Sequence, residues 1–588
     1  MRRYKLVFLL FALALAGSLL ALYTRTNISY GYFRSPLDIP LELAANFGEL
    51  RKDHFHMGLD IRTNGKEGLP VYAAADGYIS HIKVEEYGLG NALFIIHPNG
   101  CTTVYGHLSR FADELDKYLH EQQYARQSWE QELDLSPGRF PVRKGQFIAY
   151  SGNTGASQAP HLHFEIRDTK TGRSRNPLLY GLSIPDDLPP SITGLYWYDR
   201  RYSTYLVRAQ KIPIIRKNGQ TYPVADIVRI SSPLVSLGIT ATDKASNSPH
   251  SSGIFHAEIR FDDSLINAFS LRDLSGSDTR YINACIDYYK WIRSGIYVQH
   301  LSILPGNHLP VFTPAGKDGI IHFTDTAVHT IRIQVSDVYD NNTSLSIRMQ
   351  YDGGHVPADG MRYASVEEAL PSPVAAGSAC TRLLFPGKES NLSLQDVRVR
   401  FNPGTFYDQV RFVLTEQAGK GVNKVSPVIH LQDPTVPVHD PYQVQIRTSL
   451  PIGSPLRRKV VMRLISGDSQ LVVKGSWQGN WMSGSFNLLG SAQLLIDTIP
   501  PEIHCDGWEE GQAFSGNASE LVLQCRDDLG PVAGFRGELD GHWIPFARKG
   551  DRFTYTFDEY CPAGRHKLTV TVRDVAGNET RKSMTFTK

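Results

Sequence analysis

The stretch HLHFEI, residues 161–166, decides how this chain of 588 residues is interpreted. Its apolar residues alternate with polar ones, which is the pattern of a β-strand with an apolar and a polar face. His161 and His163 therefore project from the same face, two residues apart. Glu165 shares that face one pleat farther along, and we interpret it as a solvated carboxylate or as one that supports a neighbouring site residue. The loop GNTG at 152–155 leads into the strand.

Three more polar residues upstream belong to the same pattern. Residues 92–97 (ALFIIH) and 101–107 (CTTVYGH) read as two strands joined by a short turn, which brings His107 to a strand end. His56 and Asp60 form an H-x-x-x-D pattern. In a chain with 20 histidines, H-x-H and H-x-x-x-D are each expected about once by chance. The order and spacing of the whole set, rather than any single pattern, predict one functional site.

The residue types in this set are those of a catalytic zinc site. Such a site takes three nitrogen or oxygen ligands from the protein and leaves a fourth position for water. Five residues supply three ligands and leave two imidazoles to move protons. His54 lacks an aspartate four residues later, because position 58 is Gly58, so we interpret it as a neighbour of the site. His97 ends the first hairpin strand and is interpreted as a turn residue.

Five motifs occur in the order found in lysostaphin-type (LytM-like) zinc endopeptidases, and the resemblance covers roughly residues 46–168 with one insertion. It implies a small antiparallel β fold with a metal groove that cuts peptide bonds in peptidoglycan. The motifs are HMGLD (56–60), GLPVYAAADG (68–77), YGHL (105–108), KGQFIAYSGNTG (144–155) and HLHFEI (161–166).

The resemblance also implies a role for each of the five site residues. By position, His56, Asp60 and His163 resemble the ligands of Zn²⁺. His107 and His161 resemble the pair that positions the attacking water and stabilises the oxyanion, and which of the two does which stays open. All five positions keep the family's residues, so the degenerate, metal-free versions of the fold match poorly.

Two alternative functions belong to other classes. The first is a non-catalytic envelope protein that uses this domain to bind peptidoglycan or to activate another hydrolase. The second is a cell-surface adhesin that retains the domain. The complete ligand set favours the enzyme, because a binding module needs neither Asp60 and His163 together nor both additional histidines.

Residues 111–135 depart from the compact family pattern. Phe111, Leu115, Tyr118 and Leu119 have helical spacing, so we expect a helical insertion packed beside the groove. Gating of the substrate is the alternative role for this segment.

The N-terminus predicts export. The sequence MRRYK precedes an apolar run at 6–22, so residues 1–24 are expected to be a signal peptide or a membrane anchor. We therefore expect a periplasmic or cell-envelope protein that meets the membrane only through this segment. The formal net charge of +2 gives no general attraction to nucleic acid. Of six cysteines, Cys505 and Cys525 flank a predicted hairpin and could pair, with Cys561 left over or competing.

The rest of the chain predicts a series of β domains. Short β-type runs follow one another with Gly, Pro, Asn and Asp turns. The motifs DDLPPSI at Asp186 and DTIPPEI at Asp497 look like entries to a first strand. An Asp followed four residues later by Asn ends a strand-like run three times, which is typical of bacterial immunoglobulin-like sandwiches. These pairs are Asp243/Asn247, Asp337/Asn341 and Asp574/Asn578.

The expected fold class is mainly β: a LytM-like antiparallel β peptidase domain with a helical insertion, followed by β-sandwich (immunoglobulin-like) domains. The tail is interpreted as spacer or structural domains. The alternative is that it binds glycan, envelope protein partners or the enzyme domain itself. The expected boundaries are 30–185 for the peptidase domain, 186–354 for an immunoglobulin-like domain with an insertion around 281–308, 352–373 for a linker, 374–495 for a second β domain and 497–588 for a terminal immunoglobulin-like domain.

Overall fold

The fold is mainly β, as the sequence predicts, with 46% of residues in strands and 7% in helices. The computed structural model describes residues 31–217, 220–246, 248–313, 317–353, 379–419, 423–514 and 519–588. The predicted signal peptide or anchor at 1–24, nearly all of the predicted linker and Asn247 lie outside these residues. None of the described helices combines the length and the apolar character needed to cross a bilayer.

The first region holds the predicted peptidase domain and contains two antiparallel sheets. The larger sheet has the strand order β1-β2-β11-β6-β5-β4-β8, with β12 beside β11 and β9 beside β4. The smaller sheet has the order β3-β10-β7. The strands are β1 Leu43–Ala45, β2 Leu59–Arg62, β3 Pro70–Tyr72, β4 Gly77–Val84, β5 Ala92–Ile96, β6 Cys101–Gly106, β7 Arg110–Phe111, β8 Gln131–Asp134, β9 Pro141–Val142, β10 Phe147–Tyr150, β11 His161–Asp168 and β12 Ser174–Arg175, and a 3₁₀ turn covers Pro177–Tyr180.

Strand β11 contains the HLHFEI stretch and lies in the interior of the larger sheet, between β2 and β6. Leu162, Phe164 and Ile166 are fully buried in the core, as the alternation predicts. His163 and Glu165 on the other face are also buried. Both faces of β11 are therefore covered, and the polar face is a site inside the protein rather than a solvated surface.

The predicted insertion at 111–135 contains one helix followed by a strand. Helix α1, Asp113–Arg126, has three acidic residues in its first turn, and their negative charges stabilise the positive N-terminal end of the helix dipole. The helix ends at Gln127, which has a left-handed backbone conformation. Leu115 and Leu119 pack into the core of the first region. The end of the stretch is not helical: β8 pairs with β4 at the edge of the larger sheet.

The second region, 186–353, has two five-stranded sheets that share one buried core. Their orders are β14-β13-β18-β22, with β23 beside β18, and β17-β25-β24-β19-β20. The strands are β13 Ser191–Asp199, β14 Gln210–Ile212, β15 Ile214–Lys217, β16 Gln220–Pro223, β17 Val228–Ile230, β18 Leu234–Thr242, β19 His256–Phe261, β20 Ser264–Ser270, β21 Asp273–Leu274, β22 Gln299–His300, β23 Ile321–His322, β24 Val328–Ser336 and β25 Asn342–Tyr351.

Part of the second region packs against the first. Strand β21 pairs with β12, so the larger sheet of the first region includes a strand from the second. The segment 279–294 forms a 3₁₀ turn, Thr279–Tyr281, and two short helices, α2 Ile282–Cys285 and α3 Tyr288–Ser294. Ile282 and Cys285 are buried in the core of the first region. The two regions therefore share a packed boundary instead of a flexible joint.

The third and fourth regions each pack two sheets around one core. The sheet orders are β26-β29-β30-β36-β32-β33 and β27-β28-β31-β35-β34, then β37-β38-β42-β41 and β40-β39-β43-β44. An immunoglobulin-like topology stays a prediction. The elements are β26 Ala379–Leu384, β27 Ser390–Ser393, β28 Val397–Phe401, β29 Val410–Gln417, β30 Val428–Leu431, β31 Tyr442–Arg447, a 3₁₀ turn Pro455–Lys459, β32 Val460–Ser466, β33 Ser469–Val473, β34 Ser476–Gln478, β35 Trp481–Phe486, β36 Gly490–Ile496, β37 Glu502–Cys505, β38 Glu520–Arg526, β39 Gly534–Leu539, β40 His542–Ile544, β41 Ala547–Lys549, β42 Arg552–Thr556, β43 Arg565–Arg573 and β44 Glu579–Thr587.

The six cysteines are free thiols in this structure. Cys505 and Cys525 lie on paired strands, but Cys505 is opposite Leu523 and Cys525 is opposite Ile503. The suggested pairing of these two cysteines is therefore not formed. The Sγ of Cys505 contacts the Sδ of Met584 at 3.4 Å instead.

Candidate metal centre

His56, Asp60 and His163 come together through the pairing of β2 with β11, in which Asp60 lies directly opposite His163. All three side chains are buried. Nε2 of His56 lies 2.9 Å from Oδ1 of Asp60 and 3.1 Å from Nδ1 of His163. Nδ1 of His163 lies 2.9 Å from the same Oδ1. Two nitrogens and one oxygen thus form a triangle with sides of about 3 Å, and we call these three residues the His-Asp-His group.

A glycine allows the segment between His56 and Asp60 to approach β11. A Cβ atom on Gly58 would lie 2.5 Å from the carbonyl oxygen of Phe164 and 3.0 Å from Cε1 of His163. Real Cβ atoms do not come so close to a backbone oxygen, so a larger residue here must push the two segments apart. The Gly of HMGLD therefore has a geometric role at the site.

Neighbouring acceptors fix the orientation of both imidazoles. Nδ1 of His56 donates to the carbonyl oxygen of Asn46 at 2.8 Å. Nε2 of His163 donates to Oε1 of Glu165 at 3.1 Å. A ring nitrogen that donates in this way leaves the other nitrogen as the ligand atom. The atoms that remain, Nε2 of His56 and Nδ1 of His163, are the two that face Asp60.

Glu165 is a supporting carboxylate and is not solvated, since only 1% of its surface is exposed. The guanidinium of Arg167 donates to both of its oxygens, at 2.8 and 2.9 Å, and Ser174 donates as well. Burial opposes ionisation of Glu165, but Arg167 and His163 hold its pKa well below the usual range. The sequence carried a signal for this contact, because Glu165 follows His163 on the same strand face.

Within the group, an ionised Asp60 lies beside a protonated His163, and a divalent metal would take the place of the proton on His163. Burial opposes ionisation of Asp60, yet the surrounding histidines hold its pKa well below its ordinary value. Burial also disfavours the charged form of His163, but Asp60 and Glu165 raise its pKa to about 9. His163 must release its Nδ1 proton to bind a metal. Two imidazole nitrogens and one carboxylate, spaced at about 3 Å, fit the ligand set of a tetrahedral zinc ion with one open position.

His107 lies beside the group in a left-handed backbone conformation, with φ of 59°. Histidine is among the residues that tolerate this region of backbone space. Its backbone N–H donates to the carbonyl oxygen of Leu89, and its Nδ1 donates to the carbonyl oxygen of Thr154 at 2.8 Å. Burial, followed by the neighbouring His163 and His161, lowers the pKa of His107 to about 3. His107 is therefore neutral at pH 7, and its Nε2 carries a free lone pair.

His161 has a similar arrangement next to His107. Its Nδ1 donates to the carbonyl oxygen of Ala159 at 2.8 Å, and its Nε2 lies 3.3 Å from Oδ1 of Asp60. The rings of His107 and His161 are 4.7 Å apart between centroids. The structure thus brings all five predicted site residues together and turns the Nε2 atoms of both additional histidines away from their backbone acceptors.

Two other histidines near the motifs have partners of their own. His54 is exposed and bonds to Asp53. His97 is buried, with Nδ1 on the carbonyl oxygen of Asp76 and Nε2 on the hydroxyl of Thr103. His97 follows β5 directly, which agrees with its interpretation as a turn residue.

Sequence reasoning missed three residues that hold the site. Asn46 and Thr154 act through backbone carbonyl oxygens, which leave no signal in the residue type. Arg51 donates to the second oxygen of Asp60 at 3.0 Å. An arginine nine residues before an aspartate carries no pattern of its own, so only the fold reveals this contact.

The fourth region contacts the first region next to the site. Nζ of Lys549 donates to the carbonyl oxygens of Asn153 and Ser157, at 2.8 and 3.2 Å. These two residues belong to the loop whose Thr154 orients His107. On helix α1, the hydroxyl of Tyr124 donates to Asp558 at 2.5 Å. The end of the chain therefore packs against both the site loop and the predicted insertion.

Two stretches of this chain match family models, and several known proteins are similar to part of it. Residues 54–177 match the family model described as Peptidase family M23, and residues 381–497 match one described as a Zu5-like domain. A DD-carboxypeptidase/endopeptidase, Mpg, of Neisseria meningitidis is 30% identical over 192 residues, which is 33% of this chain and 35% of that protein. An uncharacterized metalloprotease of Haemophilus influenzae is 29% identical over 191 residues, or 32% of this chain and 33% of that protein.

A solved structure is also similar to part of this chain. The catalytic domain of the antimicrobial peptidase lysostaphin from Staphylococcus simulans is 26% identical, with a TM-score of 0.19. The match covers 24% of this chain and 93% of that domain. The chain spans about a third of the length of the two curated relatives described above. Residues 54–177, which contain the His-Asp-His group, belong to a LytM-like peptidase domain of family M23.

Proposed function

We propose that this chain is an exported, zinc-dependent endopeptidase that hydrolyses peptide cross-links of peptidoglycan. The observation that carries the proposal is the His-Asp-His group: three buried ligand atoms about 3 Å apart, with two further imidazoles beside them. The family match and the relative named as a DD-carboxypeptidase/endopeptidase support the class of reaction. The relative named as a metalloprotease supports the metal.

His56 Nε2, Asp60 Oδ1 and His163 Nδ1 are the proposed zinc ligands. A zinc ion held there would lower the pKa of a bound water and polarise the scissile carbonyl. The chain keeps the ligands in place through the acceptors on Asn46 and Glu165, so little reorganisation is needed when the metal binds.

His107 and His161 are the proposed proton-transfer pair. In each ring Nδ1 donates to a backbone carbonyl oxygen, which leaves Nε2 for the reacting groups. One imidazole accepts a proton from the attacking water and returns it to the leaving amine. The other donates a hydrogen bond to the oxyanion that develops on the scissile carbonyl. Either ring has the geometry for either role.

The envelope is the proposed location, because the apolar run at 6–22 follows a basic N-terminus. The membrane then concerns only this N-terminal segment. The tail regions act as the structural part of the protein, and contact with envelope protein partners is their proposed additional role. The hydrogen bonds from Lys549 to Asn153 and from Tyr124 to Asp558, which join the fourth region to the first, support a role of the tail in contacting the proposed enzyme domain.

The test combines metal analysis with digestion of defined cross-linked muropeptides by the full chain, purified without chelator. We expect about one zinc per chain and release of the separated peptides. Asp60→Ala should lose both zinc and cleavage. Asp134→Ala is the matched control, since Asp134 lies exposed on β8 and pairs with His81, and it should keep both.

Two results would contradict the proposal. A parent chain without stoichiometric transition metal would support the non-catalytic alternative, in which the domain binds peptidoglycan or activates another hydrolase. A zinc-loaded chain that leaves every cross-linked muropeptide intact would show that the substrate class is wrong, although the metal assignment would stand.

A further inference from the structure

Two clusters of aspartates lie outside the peptidase site, one in the second region and one in the fourth. In the first cluster, Asp186, Asp243 and Asp337 each offer a carboxylate oxygen, and these atoms all lie within 4.8 Å of one another. Asp186 precedes β13, whereas Asp243 and Asp337 directly follow the ends of β18 and β24. The cluster therefore joins the segment that enters the sandwich to two of its strand ends.

One oxygen of this cluster is buried without a partner. Asp243 is 6% exposed, and its Oδ1 has no hydrogen-bond partner among the described residues. The other two carboxylates do have donors: Leu188 N–H for Asp186, and the N–H of Asn341 for Asp337. Leaving a buried carboxylate oxygen unpaired is costly, so its position beside two more carboxylates requires an explanation.

The charges of the cluster oppose one another. Burial raises the pKa of Asp243 to about 7, and the negative charges of Asp186 and Asp337 act in the same direction. Burial also raises the pKa of Asp337 and that of Asp186. Three carboxylates with these properties are unfavourable as a set of bare anions, and a bound cation would relieve both the repulsion and the unpaired oxygen.

The second cluster repeats the first in its entering segment. Its members are Asp497, Asp527 and Asp574. Oδ1 of Asp497 accepts the N–H of Ile499, just as Oδ1 of Asp186 accepts that of Leu188. In both clusters this aspartate stands three residues before a Pro-Pro pair.

The repetition extends to the strand ends. Asn578 donates to Oδ2 of Asp574 and to the backbone oxygen of Asp497, and Asn341 makes the same pair of bonds to Asp337 and Asp186. The third aspartates correspond in one respect: Oδ1 of Asp527 is also without a partner among the described residues, although Asp527 as a residue is only half-buried. Corresponding residues of two different regions thus make the same bonds, so the two clusters are two copies of one arrangement.

We propose that each cluster binds one calcium ion: the first through Asp186, Asp243 and Asp337, the second through Asp497, Asp527 and Asp574. The donors are all oxygens, which hard cations prefer, whereas a zinc site in a protein typically includes imidazole nitrogen or thiolate sulfur. Calcium accepts six to eight oxygens in flexible geometry, so carboxylates, backbone carbonyls and water can share the site. Magnesium demands a regular octahedron at shorter distances.

The test is a calcium chloride titration of the full chain after removal of divalent ions. Isothermal titration calorimetry and equilibrium dialysis measure the number of calcium ions bound per chain. Asp243→Asn should bind one calcium fewer than the parent, and Asp527→Asn should also bind one fewer. The difference between variants cancels any calcium bound elsewhere. Asp226→Asn is the matched control, since Asp226 is exposed and pairs with Arg348, and it should bind as much as the parent.

A fold control separates loss of a ligand from loss of structure. Without calcium, Asp243→Asn should unfold at the same temperature as the parent or higher, because the change removes an unpaired buried charge. Its response to added calcium should be smaller. The proposal is overturned if the parent binds no calcium at millimolar concentrations, if Asp243→Asn binds as much as the parent, or if magnesium chloride saturates the same sites with equal affinity.

Discussion

The His-Asp-His group and the Asp186–Asp243–Asp337 cluster are both groups of ligand-type side chains, but they differ in how their donor atoms are prepared. Two of three donors in the first group are imidazole nitrogens, and each ring is oriented by an acceptor on its far side. The Asp186–Asp243–Asp337 cluster has only carboxylates, and Oδ1 of Asp243 is buried with no donor among the described residues.

Proximity alone therefore does not identify a metal site. An imidazole ligand needs a defined tautomer, so in a zinc site the second ring nitrogen of each histidine donates to a nearby acceptor. Carboxylates need no tautomer, and an oxygen site is recognised by charge and by unsatisfied oxygens. The two sites should therefore respond to different metals and fail through different substitutions, as the following predictions test.

The largest effect is expected from the removal of a proposed zinc ligand. His163→Ala deletes one of three protein bonds to the metal, so zinc content and peptide cleavage should fall together to background. Metal analysis by mass spectrometry and a muropeptide assay on the same preparation measure both. His81→Ala, on β4, serves as the control. Retention of full zinc by His163→Ala would remove this residue from the ligand set.

A loss of activity without loss of zinc is expected at the two additional histidines. His107→Ala and His161→Ala leave all three ligands in place, so zinc should remain while kcat falls by a factor of about 10² to 10⁴. The same metal and cleavage assays apply. If His161→Ala empties the site while His163→Ala keeps its zinc, the assignment of these two histidines is reversed.

A smaller effect is expected at Glu165, which touches the ligand His163 rather than the metal. Glu165→Gln keeps an acceptor for Nε2 of His163 but removes the negative charge, so zinc affinity should fall by about 10- to 100-fold. Competition with a zinc-binding dye measures this change. Glu132→Gln, at an exposed position of β8, is the control. Unchanged affinity in Glu165→Gln would mean that orientation, not charge, is its contribution.

The smallest expected effect is the stability gained on calcium binding, and it tests whether the aspartate clusters act independently of the His-Asp-His group. Free calcium at about ten times its Kd should raise the free energy of unfolding of the region that binds it by about 1.4 kcal/mol. Thermal unfolding monitored by calorimetry measures the shift. His163→Ala should show the same shift as the parent, whereas Asp243→Asn should show less. A calcium response that disappears in His163→Ala would show that the ion binds at the peptidase site.

Local patterns in the sequence predict the elements around the site well. The alternation of HLHFEI predicts β11, and the two β-type runs around residue 98 predict the hairpin of β5 and β6, because both signals lie within a few residues. The covering of the second face of β11 was not predictable, since Ser174 and Arg167 complete the environment of Glu165 only after folding. The strand at Gln131–Asp134 was missed because its pairing with β4 is a tertiary contact.

Long-range groupings needed more than periodicity. The five site residues were assembled from the resemblance to a family, since no local rule places His56 next to His163. The aspartate motifs were recognised as markers of strand starts and strand ends. Whether these aspartates meet depends on how the strands pair and pack, which the sequence pattern does not give. Asp527 had no motif at all, because it lacks an asparagine four residues later.

The contact between Tyr124 and Asp558 has a consequence for the order of events during synthesis, because 434 residues separate the two. At about 5–20 residues per second, a ribosome needs roughly 20 to 90 s to add a segment of that length. Small β-rich domains fold within about milliseconds to seconds. The residues of the first region therefore have time to form their sheets while Tyr124 and the loop at 153–157 still lack their C-terminal partner. Docking of the fourth region is then a late step in the formation of each new chain. The number of residues between Tyr124 and Asp558 sets the shortest time after which it can occur.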